Sequence, residues 1–494
     1  MSITRRTALR TLAAAAAVPN ALFAQRPIPR NAPNILFIMT DDQRKDALGV
    51  YGNPILKTPN IDRIGNEGAR VEQFFVTNSL CAPSRASFLT GLYAHAHGVM
   101  TNGSGEPHRN QGGLRATQRT FVHELRDAGY HTLLAGKWHL RSEPSGFDEW
   151  VILPGGGGPY VDPPMNANGA RVRMRGYADD VVGDQALELL QHRPADRPFL
   201  LLMNFKSPHR DWIPAPRFAN AFENDEIPLP RTFEDRLDGD ALRRARMAIA
   251  DMPDFAERGV PATLPRDERK RRNYEALVKN YYRTILSVDE NTGRALEFLD
   301  RNNLATNTLV LFSSDNGFFL GEYGLYDKRL MYEPSIRVPM LVRWPARIKP
   351  MVERANMILN VDVAPSILDA AGVPQSTMHG RSFLPLLTGG EIAWRDAFYY
   401  EFHEYPDYDH CVRKHRGIRT TRWKLIEYWE RPVEYELYDL ERDPDETSNL
   451  AASQPRLVRE LKQRMESLRR ELAISDAAGP VPAVVPCVPG RPAS

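Results

Sequence analysis

Most of the residues capable of chemistry in this 494-residue chain sit in four polar groups, each closing a short apolar run. Asp41-Asp42 follow "NILFIMT" (34–40), and Lys137-Trp138-His139 follow "HTLLAG" (131–136). Lys206-Ser207-Pro208-His209 follow "PFLLLMNF" (198–205), and Asp315-Asn316-Gly317 follow "TLVLFSS" (308–314). Asp41, Asp42, Asp315 and Asn316 supply three carboxylates and an amide oxygen. That donor set suits a hard divalent cation such as calcium better than zinc, which favours His and Cys. Arg85, Lys137, His139, Lys206, His209 and Lys328 supply positive or protonatable groups. A metal beside fixed cations is what a tetrahedral oxyanion, sulfate or phosphate, requires. A fifth group, "LCAPSRASFLTG" (80–91), sets Cys81 two residues before Pro83-Ser84-Arg85. Pro83 and Ser84 suit the first turn of a helix, whose amides would face an anion. Each group also has a plain structural reading. Asp-Asn-Gly is ordinary turn composition, and Lys206 could be a solvated loop lysine.

The elements that must position these groups follow from the apolar runs. Continuous runs of this length fit strands buried on both faces of a mostly parallel sheet. A further run, "VPMLVRW" (338–344), ends without a polar cluster. Between the runs, residues 120–129, 181–192 and 273–302 carry helical periodicity. Strands alternating with helices predict an α/β fold, and in open α/β sheets ligands bind outside the carboxyl ends of the strands. Four polar clusters at four such ends should therefore converge.

Residues 220–272 are charged and poorly patterned and read as a surface insertion. Beyond about residue 385 the pattern changes to antiparallel strands ("DAFYYEFHEY", "HRGIRTTRWKLIEYW", "VEYELYDLERD") and a helix at 455–472, a smaller C-terminal α+β subdomain. The expected organisation is an export signal at 1–25, a catalytic domain at 32–385, the C-terminal subdomain at 386–475 and a Pro-rich tail at 476–494. The N-terminus pairs Arg5 and Arg6 ahead of a short Ala/Leu-rich stretch, in the manner of a twin-arginine signal. The signal implies an exported protein, periplasmic or extracellular, and no run is long and apolar enough to span a membrane. Lys plus Arg (64) nearly balances Asp plus Glu (62), which argues against a nucleic-acid partner. Three scattered cysteines are too few for a disulfide framework or a zinc ribbon.

"CAPSRASFLTG" resembles the Cys-x-Pro-Ser-Arg signature of type I sulfatases in the alkaline phosphatase superfamily. The resemblance runs from about Asn34 to Leu450 and includes "MTDDQ", "LTGLYAHAHGV", "GYHTLLAGKWHL", "SSDNGFFLGEYGLYDK" and "ELYDLERDPDETSNL". It implies an alkaline-phosphatase-like fold and a sulfuric ester hydrolase. It also implies that Cys81 is oxidised to formylglycine by a formylglycine-generating enzyme, a transient partner that reads the Pro and Arg. The hydrated aldehyde then attacks sulfur with one hydroxyl, and the second hydroxyl loses its proton and expels sulfate. Position by position, Asp41, Asp42, Asp315 and Asn316 match calcium ligands. Arg85 matches the group holding the diol, and Lys137 and Lys328 match sulfate-oxygen contacts. His139 matches the group assisting diol deprotonation, and His209 matches the general acid. Lys206 matches a substrate contact, at a position where family members differ.

Two stretches, 146–164 and 401–420, resemble those of exported bacterial sulfatases acting on N-acetylglucosamine 6-sulfate. By that analogy His410 and His415 contact sugar hydroxyls, with Arg413 or Tyr405 nearby. The alternatives are a phosphonate monoester or phosphodiester hydrolase on the same scaffold, or a non-catalytic glycan-binding relative.

Overall fold

A computed structural model describes residues 31–103, 113–115, 117–235, 245–404, 410–474 and 483–484. The expected signal at 1–25 and most of the Pro-rich tail lie outside them, as does Tyr405. No helix among the described residues is long and apolar enough to cross a membrane.

The apolar runs form a ten-stranded sheet. Its strands are β1 (Asn34–Thr40), β2 (Ala69–Val71), β4 (His131–Lys137), β5 (Glu149–Leu153), β6 (Pro164–Ala167), β7 (Ala170–Arg173), β8 (Phe199–Asn204), β9 (Thr308–Ser314), β12 (Met340–Arg343) and β13 (Met351–Glu353). In space they run β13-β2-β12-β9-β1-β8-β4-β5-β6-β7. The central five, β9, β1, β8, β4 and β5, are all parallel. Every residue of β4, β8 and β9 is buried, the two-sided burial that a continuous apolar run implies. β12 carries the run without a polar cluster, and it pairs antiparallel to β9. Its carboxyl end points away from the other four, which accounts for the missing cluster. Two short pairs, β3 (Phe74–Phe75) with β14 (Ile358–Leu359) and β10 (Phe319–Leu320) with β11 (Tyr326–Asp327), tie loops beside the sheet.

Helices cover both faces. One apolar layer contains Phe37, Leu134, Ile152 and Leu202 with Ala82, Ala86 and Phe88 of the Cys81 helix. The other packs Leu36, Leu133, Leu201 and Val310 on the helices Ala178–His192 and Arg266–Arg301. The 220–272 segment departs from expectation. Phe233, Ile249, Met252 and Phe255 are buried with Trp212, Tyr274 and Tyr281 in a third apolar cluster, Met247 is buried in the first layer, and the long helix starts at Arg266. Apolar residues there are sparse and aperiodic, so periodicity could not reveal that they pack.

The C-terminal strands β15 (Ala397–Phe402), β16 (His415–Thr420), β17 (Trp423–Tyr428) and β18 (Glu434–Asp439) form an antiparallel sheet in that order. The helix Pro455–Glu471 lies on it through Leu461 and Met465. Cys411, just before β16, is disulfide-bonded, and Cys81 is a free cysteine.

Candidate active site

The four strand ends converge, and hydrogen bonds stitch them together. Asp315 N donates to Thr40 O (3.2 Å), Asp41 N to Ser207 O (3.2 Å) and Asp42 N to Asp315 Oδ1 (3.1 Å). Asp42 leaves β1 in the left-handed region at φ 65°, which turns its carboxylate into the site. Against this frame stands the helix Cys81–Thr90, all ten residues buried, with Cys81 as its first residue. Gly91 ends it at φ 67°, a left-handed C-terminal turn. The first-turn amide of Ala82 is already taken by Asn102 Oδ1 at 2.9 Å, and Ser84 N–H by Leu80 O. These two first-turn amides are therefore occupied, and the positive groups around the cysteine are side chains.

Cys81 Sγ lies 3.3 Å from Asp41 Oδ1, 3.9 Å from Asp42 Oδ1 and 3.4 Å from Lys328 Nζ. Ligand atoms of Asp41, Asp42, Cys81 and Asp315 all fall within 4.8 Å of one another. Asn316 donates its amide nitrogen to Asp42, while its buried Oδ1 has no hydrogen-bond partner. Three converging carboxylates, with Asn316 beside Asp42 and its amide oxygen without a hydrogen-bond partner, fit a hard divalent cation.

Three cations balance the three acids. Lys137 pairs with Asp41, Lys328 with Asp42, and Arg85 donates to Asp315 (2.8 Å) and to Lys137 O (3.1 Å). Arg85 Nη2 keeps no hydrogen-bond partner. Burial opposes charge on Asp41, but the fixed cations Lys137, Arg85 and Lys328 hold its carboxyl well below the usual range. Burial pushes Asp42 up to about 7 against the pull of Lys328, and it raises the Cys81 thiol. Burial would lower Lys328, yet Asp42 holds it well above its ordinary value.

The two histidines are held differently. His139 takes a left-handed φ of 57°, and its buried Nδ1 has no partner. His209 Nδ1 donates to Arg210 O (2.8 Å), which leaves Nε2 toward Asp42 at 3.8 Å, and its side chain is 27% exposed at the opening. Burial, reinforced at His139 by Lys137, drives both well below the ordinary histidine value, so both are neutral at pH 7.

The sulfatase family profile matches residues 33–373, and the profile of the N-sulphoglucosamine sulphohydrolase C-terminal region matches residues 321–471. The chain is 36% identical, over 90% of its length and 87% of the relative's, to an N-acetylglucosamine-6-O-sulfatase of Bacteroides thetaiotaomicron. It is 29% identical to the human N-acetylglucosamine-6-sulfatase over 88% of this chain and 84% of that one. A solved structure of a protein in complex with its substrate, D-glucosamine-2-N,6-O-disulfate, superposes with a TM-score of 0.81 at 35% identity. It covers 90% of this chain and 99% of that one.

The chain belongs to the sulfatase family.

It is a sulfuric ester hydrolase on an alkaline-phosphatase-like fold, as the Cys81 signature implies. Around the core of the site, the remaining expected residues fall into place unevenly. Lys206 is nearly buried; its ammonium bonds Gly158 O and lies 4.3 Å from the centre of the Tyr160 ring. It braces the glycine-rich loop 155–158 and does not project freely. That loop closes on the site: Gly157 at φ 117° takes a backbone conformation open to glycine, and a Cβ there would touch both Lys206 and Lys137.

His410 reaches the sulfatase site, with Nε2 2.8 Å from Asp327 Oδ2 and a buried, unpartnered Nδ1. His415 does not. It is fully buried in β16, its ring lies within 5.6 Å of those of Tyr400, Phe402 and Tyr428, and Nδ1 bonds Arg413 O. Burial lowers it to about 4. The expected sugar contact is corrected: the strand alternation that sends Arg416 to the opposite face, against Glu427 and Glu466, sends His415 into an aromatic core. Arg413 is likewise fully buried, bonded to Glu434, Glu430 O and Pro432 O.

Sequence reasoning missed Asp327, Arg329 and Glu404. Asp327 and Arg329 flank Lys328, both with left-handed φ (78° and 85°), a conformation costing about 1–3 kcal/mol per residue. Arg329 pairs with Asp327 and donates to Glu404 at 3.0 Å. The signal was a charged triplet, Asp327-Lys328-Arg329, inside a stretch otherwise apolar and aromatic.

Proposed function

We propose that this sulfatase removes 6-O-sulfate, exo-wise, from a terminal N-acetylglucosamine or a related glycosaminoglycan sugar, with formylglycine at position 81 and one calcium ion. What carries the reading is a strong identity to an N-acetylglucosamine-6-O-sulfatase along nearly the whole chain, joined to a polar cluster beside the cysteine. Asp41, Asp42, Asp315 and Asn316 hold the calcium, which when bound supplies positive charge to the sulfate oxygens. Formylglycine, once hydrated, supplies the nucleophilic hydroxyl, and Arg85 steadies it through the Nη2 left without a partner.

Lys137 and Lys328 draw in the sulfate. The described acids and cations of the centre cancel, so a dication leaves the site net positive toward an anionic ester. His139, neutral at pH 7, stands among Lys137, Asp41 and Arg85 and is competent to accept a proton. His209 presents Nε2 at the opening where the alcohol departs. Because Nδ1 donates to Arg210 O, a proton on Nε2 requires the imidazolium, which an anionic substrate favours. Asp327, Arg329 and His410 stand beside Lys328 and offer directional donors and acceptors to sugar hydroxyls. The Arg5-Arg6 leader supports export, where sulfated glycans are met.

The test is a panel of sulfated monosaccharides and an aryl sulfate at fixed calcium. The highest kcat/KM should fall on N-acetylglucosamine 6-sulfate or glucosamine 2-N,6-O-disulfate. A clear preference for galactose or choline sulfates would overturn the substrate reading.

A further inference from the structure

The reaction above makes no use of β7, the edge of the ten-stranded sheet. All four of its residues are exposed, and with the chain that follows it reads Arg171-Val172-Arg173-Met174-Arg175. Val172 lies opposite the buried Met165 of β6, and Met174 packs on the apolar layer that holds Met165. A period of two then places Arg171, Arg173 and Arg175 on the opposite face. That face carries Trp150 and Ile152 of β5, which share an apolar layer with Ala82 and Phe88 of the Cys81 helix. The arginines therefore stand on the Cys81 side of the sheet.

Register sets their height. Lys137 of β4 pairs with Leu153 of β5, Ile152 with Asn166, and Pro164 with Arg173. Pro164 lies two residues past Asn166 toward the carboxyl end of β5, so Arg173 is level with the end of the sheet where Lys137 enters the site. Three strand steps separate β4 from β7, roughly 14 Å. The chain between β5 and β6 is a wall of the site, since a Cβ on Gly156 would stand 3.7 Å from His139 Nε2 and Gly158 O holds Lys206.

Among the described residues none of the three arginines has an ion-pair partner. Successive guanidinium stems are spaced roughly 7 Å apart along the strand. Two acids stand at the ends of the row: Asp162 accepts Gly176 N–H at 2.8 Å, and Glu143 lies beside Gly169. Charge on an edge strand blocks edge-to-edge pairing. That requirement does not ask for one sign, on one face, level with the site.

We propose that the Arg171, Arg173, Arg175 row binds the polyanionic continuation of a sulfated polysaccharide whose terminal sugar occupies the Cys81 site. The proposal rests on the sugar-sulfatase reading above, and its test separates the two. In the catalytically silent Cys81→Ala protein loaded with calcium, a heparin-derived octasaccharide is titrated by calorimetry with and without R171S, R173S and R175S together. Kd should rise about tenfold in the serine variant, as loss of three exposed charge contacts implies. The corresponding triple lysine variant should keep most of the affinity, and raised salt should erase the wild-type advantage. In the Cys81 enzyme, the serine variant should turn over a 6-sulfated monosaccharide at the unchanged rate. An octasaccharide Kd that does not move overturns the proposal, whatever the monosaccharide result. Equal binding of a double-stranded DNA of the same length, lost in the same variant, would assign the row to phosphate backbones and overturn it also.

Discussion

Glu436→Gln should stabilise the protein above pH 7 and do much less near pH 5. Glu436 is buried in β18, where burial pushes its carboxyl up to about 7, against the pull of hydrogen bonds from Tyr332 and Tyr438. Tyr332 donates to its Oε2 at 2.7 Å, and Tyr438 does so at 3.2 Å. The folded protein thus keeps a proton that the unfolded chain, titrating near 4.5, gives up. A raised carboxylate contributes stability at low pH and loses it as pH climbs from about 4.5 through about 7. At 1.36 kcal/mol per pH unit the loss is of order 3 kcal/mol above pH 7. Glutamine is neutral at every pH and still accepts the Tyr332 hydroxyl through its amide oxygen. Melting temperatures of both proteins at pH 5 and pH 8.5 provide the assay, with the variant ahead by a few degrees only at the higher pH. An advantage of equal size at both pH values, or a variant less stable at pH 8.5, would refute the reasoning.

Three further outcomes are expected. Lys328→Ala removes a cation 3.4 Å from residue 81 and should lower kcat on every sulfate ester by about 10²–10³, as loss of one fixed charge-stabilising donor does; an unchanged kcat on an aryl sulfate counts against the role. Asp315→Ala should abolish both activity and calcium uptake measured by metal analysis, and full calcium occupancy in that variant would remove Asp315 from the ligand set. His415→Ala empties a packed aromatic site and should cost about 2–4 kcal/mol of stability while changing sugar and aryl sulfate turnover alike. A loss confined to the sugar would restore the contact that its burial denies.

The site was legible because a parallel sheet forces it to be. Asp41, Lys137, Lys206 and Asp315 each end a run that needs burial on both faces, and parallel pairing brings those ends together. The fifth run is silent because β12 is antiparallel. What escaped was information carried by tertiary position. His410 and His415 stand five residues apart in one segment, and nothing in composition says that one meets Asp327 while the other turns into an aromatic core. Glu404 and Arg329 lie 75 residues apart and become a pair only when the C-terminal sheet docks. Tyr400 shows the same dependence: its hydroxyl accepts Ser79 N–H at 3.1 Å, two residues before Cys81. Residues 220–272 read as a charged surface because their apolar side chains follow no period, yet Met247 and Ile249 are wholly buried.

Mass spectrometry of the tryptic peptide "VEQFFVTNSLCAPSR", taken from preparations of graded activity, tests the central claim most directly. The fraction of that peptide carrying formylglycine at position 81 should rise in proportion to specific activity on a sulfate ester. Full activity in a preparation whose Cys81 is entirely unmodified thiol would contradict the account.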